Sequence, residues 1–197
     1  IPDASSAVIV QRIVVNMGAD TITFDLNSVA GNFLILIGSG TIAAFGTSAT
    51  YSNGDTPLLI RDEHVGFGTG LSMFMVYNTT GGANKTFQLT GIGSNIELMA
   101  FEIQNPKNSA NPLLDEDGDQ GSATTLTKTL TPAQRSMIIA AYANGNGSQF
   151  GSFGGGVTLD TTDSHNSVGF ILNQASGSVS PSVNVTSDSN NVAIFAS

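Results

Sequence analysis

An internal repeat constrains the fold of this chain more than any other feature of its sequence. Residues 18–40 align without gaps on residues 122–144 at one constant shift, and residues 74–100 align on residues 170–196 at a second constant shift. Self-similarity over such lengths is the sequence signature of a repeated structural unit. Since the two matches are collinear, the sequence predicts a duplication with two related halves.

If the halves are duplicates, matched residues should occupy equivalent strands. The alignment pairs Ile22 with Leu126 near the start of the halves, and Leu98 with Ile194 near their ends. Three further apolar pairs are Phe87 with Val183, Leu89 with Val185, and Ile96 with Val192. Superposition of the two halves tests these pairs.

Each half contains about six short apolar or alternating runs between Gly, Asn and Ser turns, a pattern typical of strands. Lys128 takes the position that matches Phe24, which places it at a sheet edge. The expected strands are 21–26, 33–39, 48–51, 71–78, 86–90 and 96–103 in the first half, then 124–130, 137–144, 156–159, 168–173, 183–186 and 192–196, with an additional strand at 7–15.

The stretch Leu130–Gly145 has features of both a helix and a strand. Its letters TPAQ resemble a capped helix start with proline at the first helical position. The matching segment of the first half contains Phe33–Ile37, however, whose residue types favour a strand. We therefore predict a turn at 131–136 and a buried strand at 137–143.

Many short strands with polar turns predict an all-β protein. The first interpretation is one jelly-roll-like β-sandwich domain, 1–197, built from two pseudo-repeat halves. It consists of the N-terminal strand 7–15, the half 18–103, the connector 105–122 and the half 122–197. The alternative is two tandem small β-sandwich domains of about 80 residues, a size within the range of single domains, joined by that connector.

The composition excludes several classes of protein. The chain has 6 Lys and Arg against 15 Asp and Glu, a net charge of −9 and no cysteine. A nucleic-acid binder needs clustered basic residues, and disulfides or thiolate metal sites need cysteine. The apolar runs are too short to span a bilayer as a helix. We expect no nucleic-acid partner and no membrane contact.

One acidic segment is a candidate metal site. Asp115, Asp117 and Asp119 alternate along the chain, and three carboxylates in a loop could bind calcium. Gly121 stands at the seventh position and Leu126 at the twelfth, so this is not an EF-hand loop. The competing interpretation, which we favour, is a solvated acidic linker. No other cofactor is expected.

The two histidines follow aspartates in places that the repeat makes look equivalent: Asp62 with His64, and Asp163 with His165. An Asp-x-His pair could ligate a metal or hydrogen-bond a sugar. Asp also caps turns with its side chain, and we favour this second interpretation.

No motif indicates an enzyme. There is no G-x-S-x-G elbow, and the glycines of 66–70 lack the lysine of a phosphate-binding loop. Paired carboxylates remain open as a glycosidase pattern, with Glu63 and Glu116 among the glutamates. Glu97 and Glu102 lie in a predicted strand, where we expect them to point outward into solvent.

The chain is rich in Gly, Asn, Ser and Thr and contains the segments NFLILIGSG, IELMAFEIQNP and NNVAIFA. In its composition and in these segments the sequence resembles the jelly-roll or β-sandwich structural proteins of tailed-phage virions, such as head decoration proteins, head fibres and tail-fibre modules. The resemblance implies a non-enzymatic role on a particle surface, usually as a symmetric oligomer. It carries over no functional residue.

We therefore expect a structural virion-surface protein, a capsid decoration, cement or fibre component. Its partners would be copies of itself and a major capsid or other virion protein. Two alternatives stay open. A carbohydrate-binding module, which would bind a glycan, usually presents aromatic platforms, but Tyr51, Tyr77 and Tyr142 are not clustered in the sequence and tryptophan is absent. A secreted, extracellular filament subunit would donate the strand 7–15 to a neighbour.

Overall fold

The structure is a computed structural model. It describes residues 7–15, 18, 20–24, 27–41, 48–66, 68–91, 94–104, 113, 115–146, 149–163, 165–186 and 190–197. These residues form sixteen β-strands and no helix, which confirms the all-β prediction. Accordingly, the described ranges contain no helix long and apolar enough to cross a membrane.

The first half contains eight strands in two sheets. They are β1 (Val8–Val15), β2 (Thr21–Thr23), β3 (Phe33–Thr41), β4 (Ser48–Tyr51), β5 (Leu58–Val65), β6 (Thr69–Val76), β7 (Thr86–Thr90) and β8 (Ser94–Gln104). One sheet has the order β1-β8-β3-β6-β5 and the other β2-β7-β4. The first strand pairs with the last, the second with the seventh and the third with the sixth, which is a jelly-roll arrangement.

The second half repeats this arrangement. Its strands are β9 (Glu116–Gly121), β10 (Thr125–Thr127), β11 (Ser136–Asn144), β12 (Phe150–Gly154), β13 (Thr158–Thr162), β14 (Asn166–Gln174), β15 (Ser182–Val185) and β16 (Asn191–Ala196). The sheets have the orders β9-β16-β11-β14-β13 and β10-β15-β12. Adding eight to each strand number of the first half gives the second half, so the prediction of two pseudo-repeat halves is confirmed.

The strand register shows which residues are counterparts. Ile22 lies opposite Phe87 on β7, and Leu126 lies opposite Val183 on β15. The predicted pairs Ile22 with Leu126 and Phe87 with Val183 are therefore correct.

The predicted pair Leu98 with Ile194 lies on equivalent strands but is wrong by one residue. Leu98 lies opposite Gly38, and Tyr142, the counterpart of Gly38, lies opposite Ala193. The counterpart of Leu98 is therefore Ala193. The chain between β15 and β16 changes the shift by one residue, and a slip of one residue moves a side chain to the other face of the sheet. The pair Ile96 with Val192 is wrong for the same reason.

The four sheets form a stack. The two five-stranded sheets, here called the central sheets, pack face to face, and each three-stranded outer sheet covers the far side of one of them. Three apolar clusters fill the spaces. The central core includes Phe33, Ile35, Met73, Phe101, Ile139, Phe170 and Ile194. The first outer core includes Ile22, Leu34, Leu36, Phe74 and Phe87. The second outer core includes Leu126, Ile138, Tyr142, Val183 and Phe195.

Both faces of the central sheets are thus buried, which explains the contiguous apolar runs. On β3, Ile35 faces the central core while Leu34 and Leu36 face the first outer core. Each half forms its own two-sheet sandwich, as in the tandem alternative, and the halves also share one core, as in the single-domain interpretation.

The strand prediction for 137–143 is confirmed by β11, which pairs with both β14 and β16. Four edge strands differ from the prediction: β5 and β9 were not expected, and the strand expected at 156–159 is replaced by β12 and β13. The strand β1 is not additional, because it pairs with β8 as β9 pairs with β16. The predicted acidic loop is largely the strand β9.

Candidate functional site at the junction of the two halves

A buried polar cluster joins the two halves at one end of the central core. Glu97 on β8 is 1% exposed and reaches across to the second half. Its Oε1 lies 2.7 Å from Nδ1 of His165, and its Oε2 accepts a hydrogen bond of 2.9 Å from Nδ2 of Asn166. Together with Asp163, these residues are called the junction cluster.

Asp163 shapes the turn that presents the other two residues. Its Oδ1 accepts hydrogen bonds from the backbone N–H groups of His165 and Asn166, at 2.9 and 2.8 Å. Among the described residues, neither its buried Oδ2 nor the buried Oδ1 of Asn166 has a hydrogen-bond donor. The turn residue Asp163 therefore caps the start of β14, as the turn interpretation of the Asp-x-His pair predicted.

Burial raises the pKa of Glu97, and the nearby Asp163 carboxylate raises it further, while the His165 side chain acts in the opposite direction. A carboxyl group in a low-dielectric site beside a second carboxylate favours its protonated form. Glu97 therefore binds a proton more readily than an exposed glutamate does.

The cluster occurs at only one of two pseudo-equivalent places. The register makes Val192 the counterpart of Glu97 and Gly70 the counterpart of His165. The equivalent position in the second half holds an apolar side chain. The fold itself therefore does not require a carboxyl group at the position of Glu97.

A cavity of ≈ 60 Å³ lies beside the cluster. Its lining combines hydroxyl and amide side chains from both halves with the ring of His165, among them Thr41 and Thr69 from the first half and Asn144 from the second. Ligand pockets typically measure about 300–1,000 Å³. This cavity is much smaller than such pockets and has room for a few water molecules.

The structure does not gather the three predicted calcium ligands around one point. Asp119 accepts a hydrogen bond of 3.0 Å from the backbone N–H of Thr127, and Asp115 one of 2.6 Å from that of Thr131. Asp117 lies 3.9 Å from Nζ of Lys128. In the part of the chain that the structure describes, no group of three or more His, Cys, Asp or Glu side chains is placed to hold a metal ion. Calcium binding at these aspartates stays a prediction.

The two histidines are not counterparts. His64 lies inside β5, opposite Gly70, whereas His165 stands at the position equivalent to Gly70. The resemblance of Asp62-x-His64 to Asp163-x-His165 in the sequence is therefore not a shared position in the repeat, and the expectation of corresponding places is wrong.

The expectation that Glu97 and Glu102 point into solvent is also wrong, because each is 1% exposed. Glu102 accepts hydrogen bonds of 2.7 Å from the backbone of Val29 and from Nδ2 of Asn32, and another from Gln11. The missed signal is the continuous apolar run of β8, which is typical of a strand buried on both faces.

Comparison with known proteins adds no assignment to these observations. No protein-family model matches the chain, and no curated protein matches its sequence at a significant level.

Proposed function

We propose that this chain is a non-enzymatic structural protein on a virion surface, a capsid decoration, cement or fibre component that acts through protein–protein contacts. The observation that supports this most is that the polar clusters of the chain hydrogen-bond to other parts of the same chain. The junction cluster, Glu102 and the aspartates of the β9 segment all join one part of the chain to another. Their hydrogen bonds stabilise a scaffold of four stacked sheets.

The exposed faces of the outer sheets also favour contacts with neighbouring proteins. They present hydroxyl and amide groups that bond across the strands. Ser48 and Thr90 are joined by a hydrogen bond of 2.7 Å in the first half, and Thr125 donates one of 3.0 Å to Asn184 in the second. With a net charge of −9, the chain is suited to the outside of a particle rather than to contact with packaged nucleic acid.

The outer sheets are the proposed site of self-association. The strand β1 is paired with β8 inside the chain, so donation of this strand is not needed to complete a sheet. The central faces are covered by the halves themselves. A homo-oligomer would use the outer surfaces, and a stable interface there should bury more than about 1,000 Å² in total.

The carbohydrate-binding alternative receives less support. Tyr51 is 4% exposed and Tyr142 is 1% exposed, so neither ring is available as a platform for a sugar. Tyr77 is 38% exposed and belongs to the first half only.

The proposal is tested on purified particles and on the purified chain. We expect the chain in virions at a fixed copy number relative to the major capsid protein, measured by quantitative mass spectrometry. Light scattering should show a homo-oligomer, and ester, peptide and glycoside substrates should not be turned over. A strict monomer that hydrolyses one of these substrates would contradict the proposal, and so would glycan binding without particle association.

A further inference from the structure

The two central sheets meet at two edges that are built from corresponding strands but are not equally close, since the backbones of β5 and β9 approach each other more closely than those of β1 and β13. At one edge β1 meets β13, and at the other edge β9 meets β5. Since β9 is the counterpart of β1 and β13 is the counterpart of β5, the two edges are built from the same pair of positions. This use of corresponding strands at both edges is the connectivity of an isologous contact, here within one chain.

The charges at the two edges are reversed. At the first edge Arg12 on β1 forms a bidentate pair with Asp160, with N–O distances of 2.8 and 2.7 Å. At the second edge the cation is on β5, where Arg61 lies 2.9 Å from Glu116 on β9. Arg12 lies opposite Phe101, and Glu116 lies opposite the counterpart of Phe101. Glu116 is therefore the counterpart of Arg12, with the opposite sign.

The two edges also differ in the size of one pair of corresponding residues. Val14 on β1 and Gly118 on β9 are counterparts, opposite Met99 and Ile194 respectively. The side chain of Glu63 occupies the space above Gly118, where a β-carbon would lie 2.1 Å from its Oε1. A valine at this place would exclude Glu63.

We propose that the central face of each half is a recognition surface for the unlike half. Two first halves would bring Arg12 against Arg61 and Val14 against Glu63, so charge and shape both oppose this pairing. Two second halves would bring Glu116 against Asp160. Like charges that face each other across an interface exclude wrong partners. Where the two halves of a chain separate, a second copy can therefore pair with an uncovered central face only through its opposite half.

The test transfers the β9 residues onto β1. A protease recognition sequence is placed in the connector between Gln104 and Leu113, and the first half carries an affinity tag. Tagged and untagged protein are cut, mixed, unfolded and refolded together, and the tag is retrieved. The variant carries Arg12→Glu and Val14→Gly, and its matched control carries Arg12→Gln and Val14→Ala.

The natural sequence and the control should retrieve second halves, with untagged first halves at background level. The variant should retrieve untagged first halves in a ratio raised by about tenfold, which corresponds to about 1.4 kcal/mol of pairing preference. Retrieval of untagged first halves by the natural sequence, or no rise in the variant, overturns the proposal.

A second measurement uses the uncut chain, so that a poorly folding variant does not decide the result. Arg12→Glu and Asp160→Arg should each lower the denaturant midpoint, and the double variant should recover most of the loss. Absence of recovery shows that this ion pair does not direct the pairing of the halves.

Discussion

Glu63 of the first half fills the place where Gly118 of the second half lacks a side chain. The β-carbon of an alanine at this position would lie 2.1 Å from Oε1 of Glu63 and 2.3 Å from its Cγ. Glu63 is 9% exposed, and its Oε1 accepts a hydrogen bond of 2.5 Å from Nε of Arg61. The close approach of β5 and β9 thus depends on a glycine.

We expect Gly118→Ala to lower the free energy of unfolding by about 1–3 kcal/mol, the usual cost of overpacking a filled site. Adding Glu63→Ala should recover part of the loss, since the two positions touch. Gly68→Ala is the matched control, because its β-carbon would meet Asn190 at 3.4 Å, an ordinary contact. Urea unfolding measures all four proteins. A Gly118→Ala variant as stable as the Gly68→Ala variant would contradict this packing.

The junction cluster should make stability depend on pH. Burial and Asp163 raise the pKa of Glu97 above its ordinary value of 4.5. At pH values between the pKa of Glu97 in the unfolded chain and its higher pKa in the folded chain, the folded state binds more protons than the unfolded state. Stability therefore falls as pH rises through this window. The contribution of Glu97 is complete below its unfolded pKa and is lost as pH rises through its folded pKa. Glu97→Gln, which stays neutral, should gain stability relative to the natural chain over this window.

Thermal unfolding from pH 4 to pH 8 measures this difference. Glu102→Gln is the control, since Glu102 is equally buried on the same strand but accepts three hydrogen bonds. Its replacement should destabilise the protein at neutral pH by about 1–3 kcal/mol, because a donor is left without an acceptor. A constant difference between Glu97→Gln and the natural chain at all pH values would show that Glu97 does not exchange a proton there.

Loss of a large side chain from the central core should affect both halves. The ring of Phe101 is 0% exposed and lies edge-on to Phe170 of the second half, with centroids 5.2 Å apart. Phe101→Ala should cost about 3–5 kcal/mol and speed hydrogen exchange in both halves. Phe87→Ala, in the first outer core, should speed exchange mainly in the first half. Equal effects of both variants on the second half would argue against the shared core.

Asp115 and Asp119 are expected to stabilise the protein without calcium. Each accepts a solvent-exposed backbone hydrogen bond from the segment that follows β9, so Asp115→Ala and Asp119→Ala should each cost about 0.5–1.5 kcal/mol in chelator-treated buffer. Calcium titration of the natural chain tests the metal prediction separately. A rise in melting temperature that Asp117→Asn removes would support calcium, and an unchanged melting temperature would leave only the hydrogen-bonding role.

The sequence predicts the strands that are buried on both faces and some edge strands, such as β1 and β4, but it fails at the edge strands β5, β9, β12 and β13. Runs such as 33–37 and 137–141 are apolar at every position, as expected of a strand between two cores, and the residue types of 33–37 favour a strand over a buried helix. The edge strand β9 contains four acidic or glycine residues in a row, which are poor strand formers. Its strand conformation comes from pairing with β16 and from the place that Gly118 leaves for Glu63, both contacts distant in sequence.

The candidate site could be predicted only in part. The sequence identifies Asp163 as a turn residue, and the turn is present. The burial of Glu97 depends on the second half, which covers β8 from a position far along the chain. The one-residue error in the alignment near Leu98 hid that Val192 is the counterpart of Glu97, since it moved each side chain to the wrong face.

The stack of sheets places the two outer faces on opposite sides of the molecule. Packed sheets lie about 10 Å apart, so the three spaces between four sheets separate the outer faces by about 30 Å. Each face presents hydroxyl or amide groups, from β4 and β7 in the first half and from β10 and β15 in the second. The repeat thus gives a single chain two similar outer faces that point in opposite directions, and under the proposed role in protein–protein contacts these faces would hold two neighbours at a fixed distance.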